Sequence, residues 1–150
     1  MEYKGCSPGE SKHIAQACEK VLTELECDFV GLALQNTDGS DVRWHYSAGN
    51  INEKYKRITV RYGKGIAGKV ISTGRPMYVE NFPENIAGKA LEYPIMLAES
   101  LKNAYAVPIH FKGIPKGVLL IGNRSDQPIN KNEQITAGNA ARTLEQKLNN

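Results

Sequence analysis

The sequence predicts one α+β domain: a mostly antiparallel sheet with the two terminal helices covering one face. Three observations predict it. Amphipathic helical patterns lie at the two ends of the chain, short apolar or alternating strands fill the middle, and successive strands are joined by tight turns. Parallel strands would need long crossovers instead. With 150 residues, the chain fits a single domain, 1–150, large enough to bury its own core. No repeat or linker divides it.

Residues 10–26 place Ile14, Cys18, Val21, Leu22 and Leu25 at helical spacing, with Ser11 as a candidate cap. Residues 29–34 are continuously apolar and read as a buried central strand. Thr37-Asp38-Gly39-Ser40 supplies a hairpin turn. Val42, Trp44, Tyr46 and Ala48 then alternate with polar residues, which predicts that Trp44 and Tyr46 point the same way. Ile58, Val60 and Tyr62 give a third strand. A glycine-rich turn from Gly63 opens a short helix that Gly74 and Pro76 end. Residues 77–79 form a brief strand and 81–88 a loop, and Pro94 starts another helix. Tyr105, Val107, Ile109 and Phe111 alternate as a strand, Gly113 turns the chain, and residues 117–122 run back. Asn130 caps the last helix, whose apolar stripe is Ile135, Ala141, Leu144 and Leu148.

Composition excludes several function classes. Lys plus Arg number 19 against 16 Asp plus Glu, too even a balance for a nucleic-acid footprint. No apolar run approaches the ~20 residues a spanning helix needs, and no secretory signal opens the chain. A cytoplasmic protein with neither membrane nor nucleic-acid partner is expected. Cys6, Cys18 and Cys27 form no C-x-x-C pair, and His13, His45 and His110 share no ligand spacing. No metal site is expected, and the cysteines read as reduced and structural.

The segment Gly63-Lys64-Gly65-Ile66-Ala67-Gly68-Lys69-Val70 matches two phosphate-binding patterns superficially. A P-loop requires Ser or Thr after the lysine, where this chain has Val70. A dinucleotide fold requires a full crossover helix, and this one breaks at Gly74. What survives is the physics of a helix start: amides in its first turn lack partners and favour an anion. Ile66 and Ala67 would present them here. At Tyr93-Pro94-Ile95-Met96, proline carries no N–H, so Ile95 and Met96 would present the free donors of a second helix start. Trp44 adds an indole donor if it faces the same cleft, and plain core packing if it does not. Donors walled by apolar side chains suit a small monovalent anion, with no fixed cationic side chain required.

Residues 62–76, with Ala106-Val107-Pro108-Ile109 and Gly117-Val118-Leu119-Leu120-Ile121-Gly122, resemble the signature segments of GAF domains. That resemblance covers essentially the whole chain and implies a ligand pocket on the sheet face opposite the terminal helices. With Trp44, Ile66-Ala67 and Tyr93-Pro94-Ile95, the chain is most similar to the NreA family of stand-alone nitrate receptors in Gram-positive nitrate-regulatory systems. The resemblance implies nitrate held by the amides of Ile66, Ala67 and Ile95 and by Trp44, with Tyr93 and Pro94 shaping the wall. It further implies no cofactor, no catalytic residue, and a partner sensor histidine kinase of a two-component system. Residues 81–102 would be the mobile cover and the terminal helices the partner surface. A homodimer is compatible with the sequence. Other GAF proteins reduce free methionine sulfoxide, using a pocket thiolate and a resolving cysteine, or bind cyclic nucleotides. Both remain alternatives, as does a purely structural pairing module.

Overall fold

In the computed structural model, which describes residues 8–86 and 89–149, the chain forms four helices and six strands. These are α1 (Pro8–Leu25), β1 (Phe29–Gln35), β2 (Val42–Ala48), β3 (Thr59–Val60), α2 (Gly65–Thr73), β4 (Met77–Val79), α3 (Pro94–Ala98), β5 (Asn103–Phe111), β6 (Ile114–Asn123) and α4 (Lys131–Asn149). Short 3-10 turns occupy Lys54–Arg57, Glu84–Ile86 and Ala90–Glu92. One sheet contains all six strands in the order β3-β2-β1-β6-β5-β4, and each neighbouring pair is antiparallel.

Because side chains alternate along a strand, the buried strands serve two cores. On one face Val30, Leu32 and Leu34 of β1, Leu119 and Ile121 of β6, and Val107, Ile109 and Phe111 of β5 pack against α1 and α4. The other face combines Phe29, Ala33, Val118, Leu120, Ala104 and Ala106 with α2, α3 and Trp44. The continuous apolar run of β1 is thus the signature of a strand covered on both sides.

Trp44 and Tyr46 point to opposite faces, contrary to the strict alternation read from the sequence. Leu32 pairs with Tyr46 and the next residue, Ala33, pairs with Trp44. His45 is therefore an extra residue, a β-bulge that reverses the facing of everything before it. Trp44 joins the α2–α3 core, whereas Tyr46 packs on the α1–α4 side.

Three smaller expectations also change. The third strand spans only Thr59–Val60, and Tyr62 lies in the turn beyond it, 51% exposed. Ile135 does not belong to the buried stripe of α4: it is 58% exposed, and Ala137 lies against the core with Ala141, Leu144 and Leu148. Helix α1 already begins at Pro8, so Ser11 lies inside it rather than at its cap. Asn130 does cap α4, through a reciprocal box with Glu133: its Oδ1 accepts the Glu133 N–H, and the Glu133 carboxylate accepts the Asn130 N–H, both at 2.8 Å.

Candidate functional site

Two helix starts and one strand, β2, supply the candidate residues on the face opposite the terminal helices. The first is the strand-to-helix turn at residues 63–68. Gly63 and Gly65 have φ of +84° and +64°, a left-handed conformation that glycine adopts without steric cost. Gly65 thereby turns the extended Lys64 directly into α2. Gly68 is required for a different reason, since a Cβ there would collide with the carbonyl oxygen of Arg61. The glycines that mimic a nucleotide fingerprint are thus accounted for by packing and turn geometry.

Ile66 and Ala67 occupy the first turn of α2 and are buried. No hydrogen bond joins either amide to another described residue. They are the orphan donors of a helix start. Ile95 presents a third amide with the same property. The Met96 amide does not join them, because it donates to the Tyr93 carbonyl at 3.0 Å. Helix α3 has only five residues, so it contributes individual amides rather than an appreciable macrodipole.

Trp44, Ile66, Ala67, Tyr93 and Ile95 all belong to one buried cluster, and Pro94 is half-buried beside them. Trp44 is 1% exposed, and no described residue accepts its indole N–H. Phe82 meets Tyr93 edge-on with ring centroids 6.4 Å apart. Five of the six residues singled out from the sequence thus share the core on one side of the sheet, with Pro94 next to them in the chain.

Sequence reasoning missed the cation. Lys69, one turn into α2, donates from Nζ to the Tyr93 hydroxyl at 2.8 Å and lies 5.0 Å from the centre of that ring. Twenty-four positions separate the pair, and no local pattern signals such a contact.

Both described cysteines lie away from this site. Cys18 is buried on the inner side of α1, and Cys27 packs against the same α1–α4 core. Burial pushes the Cys18 thiol up to about 12, with Glu19 adding to the effect, and burial pushes Cys27 up to about 11. Thiols so protonated are poor nucleophiles. Cys6 lies outside the described residues. Among the described residues, no group of acidic, histidine or cysteine side chains is arranged to hold a metal ion, and no helix is long and apolar enough to cross a membrane.

Comparison with known proteins decides the family. The GAF-domain family model matches residues 11–148. The chain is a GAF domain. No curated protein sequence matches it, but solved structures do. One is an NreA protein from Staphylococcus aureus mutated in its nitrate-binding site, 36% identical over 81% of this chain and 91% of that one, with a TM-score of 0.76. A second structure of mutated NreA from the same organism is 34% identical, covering 83% of this chain and 97% of that one, with a TM-score of 0.74. A free methionine-R-sulfoxide reductase from Neisseria meningitidis shares the GAF fold at 16% identity, over 93% of this chain and 77% of that one, with a TM-score of 0.74.

Proposed function

We propose that this GAF domain is a nitrate receptor, binding one nitrate among the amides of Ile66, Ala67 and Ile95 and the indole of Trp44. The observation that carries this reading is that Ile66, Ala67, Ile95 and Trp44 share one buried apolar cluster, while their three backbone amides and one indole have no partner among the described residues. Nitrate is planar, monovalent and weakly basic, so several neutral N–H groups in a dry site can replace its hydration. Tyr93 and Pro94 shape the wall. The identity to NreA supports nitrate over other small anions.

The domain acts as a cytoplasmic signalling protein, with a sensor histidine kinase of a two-component system as its partner. Nitrate controls that partner only by binding more tightly to one of two states, free or kinase-bound. An enzymatic role in methionine sulfoxide reduction is disfavoured, because both described thiols lie behind the sheet and are held protonated.

Titration calorimetry with nitrate, chloride, sulfate and cyclic nucleotides tests the reading. A single saturable nitrate site is expected, and saturation at 100 times Kd should stabilise the fold by about 2.7 kcal/mol, seen as a higher Tm. Trp44→Phe keeps an aromatic ring but deletes the donor, so it should weaken nitrate binding. Absence of both nitrate heat and a melting shift would overturn the receptor assignment.

A further inference from the structure

We propose that Lys69 is a positioning residue for the anion, clasping Tyr93 so that the donors on α2 and α3 stay within reach of one ligand. This inference rests on the nitrate reading above. The two donor groups belong to segments far apart in sequence, and Tyr93 immediately precedes Pro94 at the start of α3. The Lys69 ammonium, carried by α2, reaches across to the Tyr93 hydroxyl at 2.8 Å and also rests 5.0 Å from the ring centroid. A polar bond therefore spans the site from one donor segment to the other.

The chemistry of that bond matters beyond tethering. An ammonium has donors only, so the phenolic oxygen must accept, and the phenolic hydrogen is left available to a further acceptor such as an anion. A cation beside the oxygen also polarises the hydroxyl and strengthens it as a donor. Among the described residues, no carboxylate lies within ion-pair distance of Lys69. Its charge rests on a neutral ring and hydroxyl and is free to favour a monovalent anion in the neighbouring apolar site. In this arrangement an exclusively neutral donor set is supplemented by one ammonium acting through a tyrosine.

Three variants of the full 150-residue chain test the clasp by nitrate calorimetry at low and high ionic strength, with melting curves to verify folding. Lys69→Met should weaken nitrate binding about tenfold and flatten its salt dependence, as expected for loss of a charge-assisted contact. Lys69→Arg retains charge and reach and should restore affinity to within about threefold. Tyr93→Phe removes the hydroxyl but keeps the cation over a ring, and should lie between them. A folded Lys69→Met protein that binds nitrate as tightly as the unsubstituted chain, with the same salt dependence, overturns the clasp and leaves the receptor reading intact. Failure of the unsubstituted chain to bind nitrate overturns both. Equal weakening by Lys69→Met and Lys69→Arg also overturns it, since a purely local packing role would then suffice.

Discussion

The two faces of the sheet are packed for different ends. Behind it, α1 and α4, of 18 and 19 residues, lay long apolar stripes over leucine, isoleucine and valine, and α4 pairs with β5 at the periphery through Glu145. His110 shows the pairing: its backbone N–H and Nδ1 lie 2.9 and 3.1 Å from Oε2 of Glu145. In front, α2 and α3 have only nine and five residues. They carry backbone donors within an apolar cluster that have no partner among the described residues. A buried unpaired donor costs about 1–3 kcal/mol. The front face therefore forgoes stability that the back face supplies.

Four experiments test that division of labour. The largest effect is expected from Arg124→Met, at a cluster that ties the end of α3 to the chain beside β1 and β2. Arg124 bonds the carboxylate of fully buried Glu99, beyond the end of α3, at 2.5 Å and its carbonyl at 2.8 Å. It also bonds the carbonyls of Asp28 and Gly49 at 3.2 and 2.9 Å. Glu99 Oε2 already lacks a partner, so removing the guanidinium strands a buried carboxylate, at about 3–5 kcal/mol. Urea unfolding should show that loss, and nitrate affinity should fall with it because α3 loses its anchor.

Leu32→Ala, at a site with no exposure on the back face, should cost about 2–5 kcal/mol. The folded fraction should bind nitrate with unchanged Kd by calorimetry. A matching loss of affinity would show that the two cores are not separable. Glu145→Gln should cost only about 1 kcal/mol in a thermal melt, and again leave Kd alone.

The smallest effect is a pH slope from the bulge. Burial, and secondarily Arg43, lowers the His45 pKa below its ordinary value of 6.5. The unfolded chain then takes up a proton more readily than the folded one. Stability is full above pH 6.5 and declines as pH falls below it, toward the depressed native value. His45→Gln should flatten that part of a Tm-against-pH curve, and an unchanged slope would assign it to other groups.

Much of the fold was legible because burial on two faces leaves continuous apolar runs, as in residues 29–34, and burial at helical spacing leaves stripes, as in α1. The first-turn amides of α2 were legible too, since glycine and proline constrain the backbone locally. The facing of Tyr46 was not. Val42, Trp44, Tyr46 and Ala48 alternate without interruption, and only pairing with β1 exposes the extra residue. The pairing of the Met96 amide is not legible either, because its bond to Tyr93 depends on the bend at that residue, φ −125° and ψ 67°. The Lys69–Tyr93 contact is tertiary, and Ile135 shows that an apolar residue at roughly the right spacing need not be covered.

The bulge at His45 also determines what light can report. The chain holds a single tryptophan, and the extra residue turns it toward the α2–α3 core. Its ultraviolet emission therefore originates from one compartment alone, so a spectral shift on adding nitrate would signal events at that indole without any attached dye.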